Sequence, residues 1–173
     1  MQISLYIPAI PIAQPRQRHR ISGAGARQFV QNYTPSESPV ADYKATVRHA
    51  ARENYHGAPI EGPLAVRMTF VFARPGRLIW KKRPMPRVPH VGPKDCDNLA
   101  KSTLDALNKI VFADDGQIWQ LECRKLYAAG DEQPHVEMVI FETDTMFDPN
   151  ARLELLDTSN PNRQLSFIGN IEP

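Results

Sequence analysis

Apolar and polar residues alternate from the first positions of the chain. In QISLYI, Ile3, Leu5 and Ile7 fall on one side, which predicts a strand over 2–7 that ends at Pro8. The period then changes. Val40, Tyr43, Val47, Ala50 and Ala51 recur at helical spacing, with Ser38 as N-cap, Pro39 at the first helical position and Gly57 as the stop. A helix near 38–55 follows. LAVRMTFVFA, residues 64–73, is the strongest strand candidate, with Val66, Met68, Phe70 and Phe72 on one face. A second helix is expected at about 97–110, capped by Asp97 or Asn98, with Leu99, Thr103, Ala106, Leu107 and Ile110 along one side. Ile118–Tyr127 and His135–Glu142 read as two strands joined as a hairpin through AAGDEQ. This order predicts an α+β fold, a small mixed β-sheet with two main helices. Residues 1–142 form one domain in this reading, and 143–173 a polar C-terminal tail, loosely held or docked.

Two stretches break the pattern. Residues 8–35 carry four prolines and no acid, with Arg16, Arg18, His19 and Arg20 clustered ahead of ISGAGA. They predict a long basic loop whose glycines make its tip mobile. Residues 74–94 hold Arg74, Arg77, Lys81, Lys82, Arg83, Arg87 and Lys94 among five prolines, which work against regular structure. A loop of that length in a small domain is usually functional, or else flexible. The net charge of +2 therefore conceals two opposite halves. Residues 1–94 have 15 Lys and Arg against 4 acids; residues 95–173 have 6 against 15. A polyanion partner for the first half is one explanation, and mutual packing of the two halves is the other.

Composition narrows the class. The chain has 173 residues, with 42% hydrophobic and 23% charged positions. No apolar run approaches the roughly 18 residues of a membrane span, so no membrane partner is expected. MQISLYIPAI lacks a basic n-region and a cleavage site, which predicts no secretory signal. Two cysteines, Cys96 and Cys123, build neither a disulfide framework nor a four-thiolate zinc site. A cytoplasmic setting is the expectation.

The chemistry concentrates in KDCDNLAKSTLDALNKIVFADDGQI, residues 94–118. Asp95 and Asp97 stand two apart at a loop-to-helix junction, Lys101 lies one turn beyond Asp97, and Asp114-Asp115 follow the helix. Clustered aspartates suit hard divalent cations, and phosphodiester hydrolysis uses such ions. The same residues also read as i,i+4 helix pairs, an N-cap and a turn, and spacing alone leaves both readings open. An EF-hand fails because Ala100 and Ala106 occupy the positions that need Gly and Glu. Neither Gly-rich phosphate fingerprint is present. Cys96, between two carboxylates, reads as a spacer. His90 is either an incidental loop histidine or one that approaches a phosphate. Trp80 and Tyr33 are either base-stacking or loop-anchoring residues.

The stretch resembles the RusA family of Holliday junction resolvases. The likeness lies in D-x-D-N-L-x-K (Asp95, Asp97, Asn98, Leu99, Lys101), then Asp105-Ala106-Leu107, then Asp114-Asp115 with Ile118. PIAQPRQRHR and the Tyr33-Thr34-Pro35 step before a helix add weaker similarity, over about residues 2–142. The resemblance implies a homodimeric endodeoxyribonuclease that cuts four-way DNA junctions by paired nicks with Mg²⁺ or Mn²⁺, in a bacterial or phage-infected cell. It implies metal-binding carboxylates at Asp95, Asp97 and Asp115, with Asp114 as second choice, and a catalytic lysine at Lys101. Arg16, Arg18, Arg20, Lys81, Lys82, Arg83, Arg87 and Lys94 are the expected phosphate contacts. A noncatalytic binder of branched DNA, and a nuclease for other branched substrates, are the alternatives.

Overall fold

The computed structural model describes residues 1–15, 18–23, 29–33, 38–80 and 84–143. Its elements are β1 (Gln2–Ile7), β2 (Arg18–Ser22), β3 (Phe29–Tyr33), α1 (Val40–Asn54), β4 (Leu64–Phe72), β5 (Val88–Pro89), α2 (Cys96–Leu107), β6 (Ile118–Tyr127) and β7 (His135–Glu142). The main sheet has the order β1-β7-β4-β6-β5. β4 and β6 run parallel, from Leu64↔Ile118 to Phe72↔Tyr127, and the other pairings are antiparallel. The mixed sheet and the two helices agree with the sequence. Among the described residues no helix is long and apolar enough to cross a membrane.

Several features differ from expectation. α1 begins at Val40, with Pro39 rather than Ser38 at the N-cap position and no side-chain cap. β6 and β7 are consecutive but do not form a hairpin, because β4 lies between them. The cause is burial: eight of the nine β4 residues are buried, so β4 takes the centre, where both faces are covered. No β6 residue is fully buried, and three of its ten are exposed, which suits a flank. The basic segment read as a loop contains instead the antiparallel pair β2–β3, in register from Arg18↔Tyr33 to Ser22↔Phe29. Charged and polar residues in both strands mask the alternation that would have revealed them.

The core lies on one face of the sheet. Ile3, Leu5 and Ile7 of β1, Val66, Met68, Phe70 and Phe72 of β4 and Val136, Met138 and Ile140 of β7 meet Tyr43, Val47 and Ala51 of α1 and Leu99, Leu104 and Leu107 of α2. α1 buries the apolar set read from its spacing. α2 buries more than one stripe, including Ser102 and Thr103. The Thr103 hydroxyl donates to the Leu99 carbonyl (3.0 Å) and pairs with the Tyr43 hydroxyl at 2.7 Å. Burial pushes the Tyr43 phenol up to about 12. Lys44 adds an ion pair from α1 to Asp105 of α2 at 2.8 Å. The outer side of α2 is covered by the segment after β1: Ser102 Oγ donates to the Ile12 carbonyl (2.5 Å) and the Gln14 amide to the Asn98 carbonyl (2.8 Å).

The proline-rich segment after β4 is fixed by its own cations. Arg74 donates to the carbonyls of Ala128 (2.9 Å), Leu78 (3.4 Å) and Pro86, and its guanidinium lies 5.4 Å from the Trp80 ring centroid. Arg87 forks between Glu132 and Glu137 and meets His135 Nε2 at 3.3 Å. His135 is buried; its Nδ1 lies 2.8 Å from the Gln133 carbonyl, and its ring packs 4.7 Å from Tyr6.

Two outcomes follow from these contacts. Tyr43→Phe removes one hydrogen bond yet leaves Thr103 bonded to Leu99, so urea unfolding should show a loss of about 1 kcal/mol. Arg87→Ala should cost about 1–2 kcal/mol at pH 7 by thermal unfolding. It should also flatten the acid dependence. Arg87 holds the Glu132 carboxyl below its ordinary 4.5. Burial raises that of Glu137, but bonds from Arg87 and His135 outweigh it and leave it low as well. Depressed carboxyls stabilise the fold above their ordinary range and lose that effect as pH falls through their folded values. Between pH 5 and pH 3 the wild type should therefore lose more stability than the variant.

Candidate active site

Chain direction places the acidic residues. β4 leads into the braced segment, β5 touches the end of β6, and residues 90–95 turn into α2, which returns toward the start of β6. Asp95 is the N-cap, so the helix begins ahead of the Asp97/Asn98 position expected from sequence. Asn98 Nδ2 lies 3.5 Å from Asp95 Oδ2. Asp97 and Lys101 are exposed one turn apart, and among the described residues neither enters an ion pair. Negative charge is favoured at a helix start, and so is a bound phosphate.

Asp114 and Asp115 are sorted by their bonding. Asp114 caps a 3₁₀ turn at Asp115–Gln117, accepting from the Gly116 amide at 2.8 Å. A Cβ on Gly116 would fall 2.8 Å from that carboxylate oxygen, so this close approach requires glycine. The Gln117 side chain completes the box on the Asp114 amide (2.8 Å) and ties the turn to the Ile60 and Gly62 carbonyls. Asp115 instead reaches back to α2, accepting from Asn108 Nδ2 at 3.4 Å. Asp95 and Asp97 thus stand at one end of α2 and Asp115 at the other. A helix of 12 residues separates the two ends by about 18 Å.

The expected phosphate contacts divide. Arg18 and Arg20 lie in β2; Arg16, Lys81, Lys82 and Arg83 fall outside the described residues. Arg87 is engaged by the two glutamates, and Lys94 points inward. Its Nζ donates to the Pro11 carbonyl (3.2 Å) and sits 4.9 Å over the Phe72 ring, where burial lowers its pKa. Lys125, which spacing did not single out, donates to the carbonyls of Gly92 (3.3 Å) and Lys94. His90 is stacked between Phe72 (4.5 Å) and Tyr127 (4.6 Å), and burial, assisted by Lys125 and Lys94, lowers its pKa and keeps it neutral at pH 7. Both cysteines are free, and burial pushes the Cys123 thiol up to about 12.

Sequence spacing also missed a compact group on the opposite face of the sheet. Glu132, His135 and Glu137 bring one ligand-type atom each within 4.8 Å of one another. The Arg87 guanidinium already bonds to this group and supplies its cation. The signal that joins them, an arginine 45 and 50 residues before its two glutamates, is too long-range to read from one sequence.

The carboxylates at the start of α2 and at Asp115 are oxygen donors, the set a hard divalent cation takes. Lys101, an exposed cation, lies one turn from Asp97. No curated protein matches the chain. The family model described as Endodeoxyribonuclease RusA matches residues 8–140, which include both acidic pairs, Lys101 and the braced basic segment. The chain therefore belongs to the RusA endodeoxyribonuclease family of Holliday junction resolvases.

Proposed function

We propose that the protein is a homodimeric, Mg²⁺- or Mn²⁺-dependent endonuclease that resolves four-way DNA junctions by paired symmetric nicks. In this reading each active site takes Asp95, Asp97 and Lys101 from one subunit and Asp115 from the other. Family membership supports the reaction class. The observation that carries the arrangement is the placement of the acidic pairs at opposite ends of α2. A two-fold axis across the middle of α2 exchanges its ends and brings the pairs together without unfolding either subunit.

β6 offers the surface for such an axis. On its outer side only Leu126 and Tyr127 pair with β5, and the Lys125 carbonyl accepts from the His90 amide (3.0 Å). Residues 118–124 remain an edge among the described residues, with Trp119 and Leu121 exposed. An open apolar edge is a template for another strand. Antiparallel pairing of two β6 edges centred near Leu121 would set Asp115 of the partner subunit level with Tyr127. Lys125 lies beside that position and holds the segment that leads into Asp95.

The chain's residues divide the chemistry. Asp95, Asp97 and Asp115 would hold the cation. When bound, it supplies Lewis acidity, acidifying the attacking water and offsetting charge on the phosphoryl oxygens. Lys101 presents its ammonium to the transition-state charge, and the start of α2 adds its positive dipole end. Arg18 and Arg20 of the hairpin, with those cations of residues 74–94 that internal contacts do not take up, hold the arms through phosphates, giving salt-sensitive, largely sequence-independent affinity. Two equivalent sites suit two symmetry-related strands.

Asp97→Asn and Asp115→Asn should each lower nicking of a four-way substrate by about a thousandfold while retaining binding. Co-expressed together, they should recover about a quarter of wild-type nicking, because half of the dimers are mixed and each mixed dimer keeps one intact site. Nicking by Asp97→Asn alone would refute the catalytic assignment. Absence of recovery in the mixture would refute the shared site. Cuts on forked or linear duplexes equal to those on the four-way substrate would refute junction resolution, and binding without any product would mark a noncatalytic relative.

A further inference from the structure

Val91 is 88% exposed, more than any other large apolar residue among the described residues. It stands at a bend four positions before Asp95, in a stretch rich in cations. A lone surface valine is unremarkable, but this one sits on a braced support. On one side His90 is stacked between Phe72 and Tyr127 and its amide is bonded to β6. On the other, Lys125 ties down the carbonyls of Gly92 and Lys94, and Lys94 is bonded to Pro11. Gly92 lets the bend fold onto the imidazole, since a Cβ there would fall 2.7 Å from His90 Cε1. The backbone on both sides of the tip is therefore fixed before any partner arrives, so little ordering cost remains for an encounter.

We propose that Val91 is an apolar wedge that enters the DNA at the branch point, against the face of an unstacked base pair, and thereby contributes to selection of branched over linear substrates. The proposal rests on the nuclease reading above and deepens it. Apolar wedges that enter continuous duplex must unstack a base step, which is unfavourable. At a branch the stack is already interrupted, so the same insertion is cheap there and costly elsewhere. Arg87 is neutralised by its glutamates, but Lys94 and Lys125 are bonded to neutral carbonyls and keep their charge beside the bend, which favours a polyanion at this surface over an apolar protein patch. Four residues reach at most about 14 Å, which places the cut within about four nucleotides of the branch at about 3.4 Å per nucleotide.

The test uses full-length protein in Ca²⁺ and synthetic four-way junctions carrying 2-aminopurine beside the branch, with a linear duplex of the same sequence as reference. Wild-type binding should raise the fluorescence. Val91→Ser should abolish that rise and reduce the junction-over-duplex affinity ratio by about tenfold with duplex affinity unchanged, while Val91→Leu restores both. The position is exposed, so circular dichroism should show both variants folded. If Val91→Ser keeps the fluorescence rise and the ratio, the wedge is refuted and the nuclease reading stands. If wild type itself prefers no junction, that reading fails and takes the wedge with it.

Discussion

The structure turns on the way α2 is held. The sheet, α1 and the segment after β1 grip it on three sides, through Leu99, Leu104 and Leu107, through Tyr43–Thr103 and Lys44–Asp105, and through Ser102 and Asn98. A helix so confined has one position and one axial register. Its ends are then fixed points, and the acidic residues proposed for the chemistry stand at those ends.

This confinement uses charge as well as apolar area. The chain is rich in cations before Asp95, and the structure engages three of them as internal braces. Arg74, Arg87 and Lys94 turn toward carbonyls, carboxylates or aromatic faces and stiffen a segment whose prolines exclude most regular hydrogen bonding. Charge density alone does not separate such braces from residues that meet a polyanion. The glutamates that neutralise Arg87 come from the acidic half of the chain, so part of the charge asymmetry is resolved by internal packing.

Much of the fold was legible beforehand because it rests on local period. The buried set of α1 and the apolar run of β4 follow from spacing and from burial on both faces. The β6–β7 hairpin was misread because adjacency in sequence is a weaker constraint than the pull of β4 toward the centre of the sheet. β2 and β3 escaped notice because polar residues in both strands hide the two-residue period. The motif singles out Asp95, Asp97, Lys101 and Asp115 and the period gives the helix between them, but neither shows that Asp114 is taken up as a cap. α2 starts after Asp95, which occupies the N-cap position without a side-chain cap bond, and stops ahead of a left-handed Lys109 (φ 63°).

The seam between the segment after β1 and α2 also acts as a leash. Gln14 is pinned to Asn98 within the first turn of α2, and the step from there to Arg18 spans no more than about 14 Å. Whatever orientation the β2–β3 ribbon adopts, Arg18 at its root stays within about that distance of Gln14. Any phosphate backbone lying at the carboxylates meets a high effective concentration of arginine.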